Sequence, residues 1–204
     1  MKIQAAHSER NQVASDDLVH LVDPFIGTEP EDLPPRTGIA ATWFWPKPYI
    51  GNTHPGACLP FGMVSVMPYS GGYPTGYGRY GKSLEGHPPR FMQELQVSGF
   101  THFQQTGVGA IRKYYNYCRV TPFSEECGGL SSVGMLFPIT NEEAMPGFYT
   151  CVIQPHGIRA EITGTQRGAI HRYTFPKSNG SGLAIDFSHG GIHIEDGRTI
   201  HLRA

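Results

Sequence analysis

The chain has 204 residues, enough for one domain with a substantial core, and 39% of them are hydrophobic. Its 16 basic residues nearly balance 17 acidic ones. No basic stripe is interleaved with aromatics, which leaves nucleic-acid binding without support, and no run approaches the ~20 apolar residues of a membrane span.

Met1 to Ala14 is polar, lacks periodicity and reads as a disordered tail. The folded domain is therefore expected over residues 15–204. The tail has no apolar h-region of a secretory signal. Ser15 can cap one helical turn through Leu21, with Asp16 and Asp17 favourable in its first turn and Pro24 beyond to stop it. Glu29–Arg36 carries three prolines and four charges and reads as a surface loop. Ala40–Ile50 crowds Trp43, Phe44, Trp45 and Tyr49 into a Pro-broken stretch. Ser70–Pro89 is irregular and holds six glycines, and a short helix is expected at Phe91–Leu95. The 26 glycines and 17 prolines of the whole chain predict many tight turns between short strands.

From Tyr114 onward the pattern has period two. Tyr149, Cys151 and Ile153 alternate with polar or small partners, as do Ile158, Ala160 and Ile162, then His171, Tyr173 and Phe175. Leu183, Ile185 and Phe187 follow, then Ile192 and Ile194. Turns fall at Pro155–Gly157, Gly164–Gly168 and Ser178–Gly180. Runs of this kind about ten residues apart predict an antiparallel sandwich. Arg159 and Glu161 share one face, which suits a solvated side. The last run, Arg198–Arg203, ends without a stop signal, so the sandwich is expected to be incomplete at its C-terminal end. Cys58, Cys118, Cys127 and Cys151 lack the paired spacing of a zinc site; they read either as buried thiols or as up to two disulfides, in one of three connectivities.

Four motifs carry a resemblance: VDPFIGT at Val22–Thr28, GNTHPGACLPFGMV at Gly51–Val64, SGFTHFQQTGVG at Ser98–Gly109, and the long run from Ala144 to Pro176. In order and spacing they resemble the N-terminal domain of glycoside hydrolase family 92, the exo-acting α-mannosidases, over about Leu18 to Ile194. The resemblance implies a galactose-mutarotase-like β-sandwich that packs on a following helical barrel. It also implies a secreted or periplasmic enzyme that uses calcium, held largely by oxygen ligands near that barrel. The acid and base would lie mainly on the barrel, so no metal and no cofactor is expected in this chain. In the family the first two motifs are joined by a much shorter link, so Ala40–Ile50 looks like an insertion.

The carboxylates agree with that division. Inverting hydrolysis needs an acid and a base roughly 6.5–9.5 Å apart. Glu85 and Glu94 flank an irregular loop, Glu125–Glu126 and Glu142–Glu143 are adjacent pairs that would point opposite ways on an extended strand, and Asp186 lies inside a strand. All read as solvated or structural groups, so no catalytic residue is assigned. Sugar contacts are expected instead from His102, Gln104 and Gln105, because Thr101–Gly107 resembles the family segment SHTHLSGTG that approaches the sugar. Gln offers both donor and acceptor to hydroxyls. Tyr73 and Tyr77 are candidate stacking platforms, since a pyranose has an apolar face and Tyr adds a polar handle; Trp43 and Trp45 rival them. His189, His193 and Glu195 look like a chelate on paper but read as a polar edge strand. Two other readings stand beside the first: a free-standing carbohydrate-binding module, and a gene fragment without function.

Overall fold

A computed structural model describes residues 18–31, 34–35, 37–42, 49–50, 53–71, 75–81, 90–102, 118–177, 180–186 and 200–203. Among these the regular structure is strands and short 3-10 turns, with no α-helix. Eight short strands come first: β1 (Pro30–Glu31), β2 (Tyr49–Ile50), β3 (Ala57–Cys58), β4 (Ser65–Pro68), β5 (Tyr80–Gly81), β6 (Arg90–Phe91), β7 (Gln96–Val97) and β8 (Phe100–Thr101). Longer ones follow: β9 (Arg119–Ser124), β10 (Phe137–Met145), β11 (Phe148–Ile153), β12 (Ile158–Gly164), β13 (Ala169–Thr174), β14 (Ser181–Asp186) and β15 (Ile200–Arg203).

The strands form two main antiparallel sheets. One has the order β13-β12-β11-β10-β7, and the other β15-β14-β9-β8-β4-β3; β1-β2 and β5-β6 are separate two-stranded pairs. The core lies between the main sheets. Ala57, Val66 and Phe100 come from the six-stranded sheet, and Tyr149, Cys151, Ile153, Ala160 and Ile162 from the five-stranded one. This is the mostly-β sandwich that period two demands. Cross-strand register aligns Tyr149 with Ile162 and Ile162 with His171, so one inward row runs over three strands. Arg159 and Glu161 face solvent as expected, and Arg172 joins them with two bonds to Glu161 of 2.8 and 2.6 Å.

Several expectations need correction. Phe91–Leu95 is not a helix: Phe91 pairs with Tyr80 in the β5-β6 ladder, and the Met92 N–H donates to the Arg79 carbonyl at 3.0 Å. The turn before Pro24 is a 3-10 turn over Val19–Leu21 that begins from Leu18 without a side-chain cap, and Ser15 lies outside the described residues. Part of the expected loop at Glu29–Arg36 pairs as β1 with β2. On β14 the fully buried positions are Gly182 and Ala184, while Leu183 and Ile185 are half-buried. The cause is the ring of Phe123, opposite Gly182 on β9: a Cβ at Gly182 would stand 2.7 Å from its Cζ. The four cysteines are free thiols.

Gly99, in the third motif, shows why that motif is written as it is. Its φ of +137° and the closeness of Thr121 Oγ1, 2.5 Å from where a Cβ would be, admit only glycine. The close approach lets β8 turn onto β9, and this fixes where His102 leaves the sheet.

Candidate functional site

The second motif builds a buried turn and an exposed one. His54 is buried, its Nδ1 accepts from the Gly56 N–H at 3.1 Å, and its Nε2 lies 3.2 Å from Ser65 Oγ. Accepting at Nδ1 leaves the proton of the neutral ring on Nε2, which therefore donates to Ser65. Burial lowers the imidazole pKa to about 4. Gly56 must be glycine because a Cβ would meet the Val66 carbonyl at 2.3 Å. The following Leu59-Pro60-Phe61-Gly62 turn is closed by a Gly62 N–H bond to the Leu59 carbonyl at 3.0 Å. Phe61 occupies the position of that turn that favours glycine or asparagine, with φ at +58°. Its ring is fully exposed.

A second polar group joins the irregular Ser70–Pro89 stretch to the five-stranded sheet. The Tyr77 hydroxyl donates to Glu142 Oε1 at 2.9 Å, and the Tyr149 hydroxyl to the same oxygen at 2.6 Å. Glu142 points inward because β10 carries a bulge. Thr140 pairs with Val152 and Glu143 with Thr150, so Asn141 and Glu142 together oppose Cys151. Asn141 takes a left-handed φ of +49° to allow it. Burial pushes the Glu142 pKa up and the two phenol donors pull it down, with the upward effect prevailing. Burial also raises the Cys151 thiol to about 12.

A third group crosses between the sheets. His102, just past β8, has Nε2 2.9 Å from His171 Nε2 on β13, and His171 Nδ1 lies 2.9 Å from the Tyr173 hydroxyl. His102 Nδ1 meets the backbone carbonyl of Cys118. Phe100 packs beside the group, with ring centroids 6.4 Å from His171 and 6.1 Å from Tyr173. Burial lowers the pKa of both imidazoles, His171 to about 4.

Of the residues expected to meet a sugar, Tyr77 and His102 are described. Tyr77 is buried and His102 half-buried, and each spends its polar atoms on protein partners. Tyr73, Gln104 and Gln105 lie outside the described residues, as do Trp43, Trp45, Glu85, His189, His193 and Glu195. The carboxylates that do have charged or phenolic partners are held structurally: Glu29 by Arg79 at 2.6 Å, Asp186 by Arg119 at 2.7 Å, Glu161 by Arg172, and Glu142 by two tyrosines. Among the described residues no three His, Cys, Asp or Glu side chains gather to hold a metal ion. Sequence reasoning placed His171 and Tyr173 on an alternating strand face but missed their contact with His102 and the inward turn of Glu142. Glu142 depends on a bulge without a local signature, and the His102–His171 contact joins positions 69 residues apart.

Residues 21–202 match the Glycosyl hydrolase family 92 N-terminal domain, and the chain belongs to that family. It is similar to an uncharacterized secreted glycosidase of Arthroderma benhamiae, at 27% identity over 135 residues that cover 63% of this chain and 16% of that protein. Among solved structures it is similar to the family GH92 alpha-mannosidase BT3965 from Bacteroides thetaiotaomicron, with a TM-score of 0.59 at 23% identity, covering 84% of this chain and 20% of that one. The GH92 family glycosyl hydrolase ccman5 superposes with a TM-score of 0.56 at 26% identity, over 83% and 20% of the two chains. The chain thus spans a fifth or less of the length of these relatives. No described helix is long and apolar enough to cross a membrane.

Proposed function

We propose that this chain is the sugar-facing front domain of a secreted, exo-acting α-mannosidase-like glycoside hydrolase, and that a helical barrel elsewhere in the enzyme supplies the acid, the base and the calcium ion. The observation that carries the reading is the family match over residues 21–202, joined to much longer relatives, of which this chain covers a fifth or less, that are called glycosidases or alpha-mannosidases. The carboxylate inventory supports the same division, since four of the described carboxylates are engaged by arginines or tyrosines rather than facing one another across a cleft. In this reading Tyr73, Gln104 and Gln105 meet the glycan. Tyr77 and His102 belong to the same site by holding the loops that carry them.

Two measurements on the same preparation test this. The chain is expected to hydrolyse no aryl-α-mannoside, with or without calcium; turnover that disappears in a single Asp or Glu variant would place the chemistry here and overturn the division. Calorimetric titration with methyl α-D-mannopyranoside is expected to show binding that Gln104→Ala weakens by about 1–3 kcal/mol, as for a hydrogen-bond partner left unpaired. The melting temperature should hardly move. Equal losses of affinity and stability would make Thr101–Gly107 a structural loop.

A further inference from the structure

Tyr77 and Tyr149 both donate to one oxygen of Glu142, Oε1, at 2.9 and 2.6 Å, and among the described residues no donor reaches Oε2. A neutral carboxyl satisfies that division: its carbonyl oxygen has two lone pairs for two phenols, and its own proton sits on the other oxygen. An ionised carboxylate would carry as much charge on Oε2 and leave it without a protein donor. Around Glu142 stand Tyr77, Tyr149 and Cys151, with the Glu29 carboxylate, itself held by Arg79, close enough to repel it. Glu143, the next residue of β10, is exposed and lies opposite Thr150. Burial pushes both phenols up and the Cys151 thiol to about 12, so of these buried groups only Glu142 changes charge in the acid and neutral range.

We propose that Glu142 is a proton-dependent clasp: with its carboxyl neutral it holds the 75–81 segment against the five-stranded sheet, and on ionisation it releases Tyr77 to solvent. The two phenols are not anchored alike. Tyr149 is fully buried in β11, which is paired on both sides. Tyr77 belongs to a segment whose strand, β5, has two residues and one partner, β6. The Tyr77 bond is therefore the one that yields. In the open form an ionised Glu142 is hydrated; in the closed form it is buried and faces the charge of Glu29. The closed form thus holds the proton more tightly, above the ordinary value of 4.5. Phenols bind a carboxylate more strongly than a neutral carboxyl, but this opposing pull is the smaller one. Closure is strongest below the ordinary value and weakens as the pH rises through the closed-form value. The closed form spends the Tyr77 hydroxyl on the sheet, and the open form returns it to solvent.

Hydrogen–deuterium exchange of the full chain tests this, read by mass spectrometry on peptides covering residues 75–81 and corrected for the intrinsic pH dependence of amide exchange. Between pH 4.5 and pH 8 the opening of this segment is expected to increase about tenfold for each unit by which the closed-form pKa exceeds the open-form one. Peptides of β11 and β12 should stay level. Glu142→Gln keeps an acceptor for both phenols and does not titrate, so its profile should be flat and closed. Glu29→Gln removes a like charge at an exposed position, and should reduce the ratio of opening at pH 8 to opening at pH 4.5. A ratio near one in the wild type, or equal ratios in the wild type and Glu142→Gln, would overturn the clasp. If Glu142→Gln fails to fold, an undiminished ratio in Glu29→Gln overturns it as well.

Discussion

His54 translates one letter of the second motif into a condition on pH. Its neutral ring accepts from the Gly56 N–H and donates toward Ser65, and a second proton would destroy the accepting half. The unfolded chain takes up that proton near pH 6.5, whereas the folded chain refuses it until about pH 4. Stability that is fully present above pH 6.5 is therefore lost as the pH falls through this window. At ~1.4 kcal/mol per pH unit the loss is on the order of 3 kcal/mol when complete. His171 acts in the same sense. Glu142 acts in the opposite sense, because its raised pKa means that the folded state takes a proton before the unfolded one does. We predict that His54→Asn, which keeps an acceptor near the Gly56 N–H and does not titrate, is about 1–2 kcal/mol less stable at pH 7. Its stability should then fall distinctly less steeply between pH 6.5 and 4.5. Urea midpoints at four pH values within that range check this; parallel profiles for variant and wild type would show that His54 is not the titrating group.

The β10-β11 hairpin shows both how far strand patterning reaches and where it stops. β11, β12 and β13 were legible from alternation, since Tyr149, Cys151, Ile158, Ala160 and Ile162 bury one face and leave polar partners on the other. β14 was legible as a strand but not in phase: the ring of Phe123 requires glycine opposite it, a demand set by a neighbour 59 positions earlier. β6 was read as helix because two residues of pairing leave too short a pattern to recognise. The bulge that turns Glu142 inward was invisible, as nothing in Thr140-Asn141-Glu142-Glu143 announces two residues opposite one. Its backbone requirement is testable at Asn141, which tolerates a left-handed φ where a β-branched residue does not. Asn141→Gly is expected to be nearly neutral, and Asn141→Val to cost about 1–2 kcal/mol in a urea titration. Tyrosine fluorescence should change with it as Glu142 shifts from Tyr77 and Tyr149. Equal behaviour of the two variants would mean that residue 141 is extended and the bulge lies elsewhere.

The same reasoning applied to the assembled sandwich turns on the exposed end of the second motif. His102 was legible as a polar residue of the third motif, but its partner His171 came from a strand far along the chain, and the two glutamines lie outside the described residues. The Leu59–Gly62 turn lies within the second motif, but the sequence did not say which way Phe61 would face. It faces solvent, beside Met63 at 72% exposure and Leu59, and the backbone accepts a left-handed Phe61 to put it there. The loop is held rather than loose: the Met63 N–H donates to the Gln166 carbonyl at 2.7 Å, and Leu59 Cδ2 approaches Gly147. A strained aromatic on a fixed turn, with apolar neighbours, is the surface expected to be covered if the proposed barrel docks on this sandwich. In the proposed enzyme the helical barrel is what covers it; in the isolated chain a second copy is the nearest available apolar surface. The chain alone is therefore expected to self-associate at micromolar concentration and to bind an apolar-surface dye. The double variant Phe61→Ser with Met63→Ser should shift it toward monomer without loss of the cooperative melt, since neither side chain contributes to the core. Sedimentation velocity over a concentration series makes the measurement. A wild-type chain that stays monomeric and dye-negative would show a closed exterior, and that outcome favours a free-standing binding module over a docking domain.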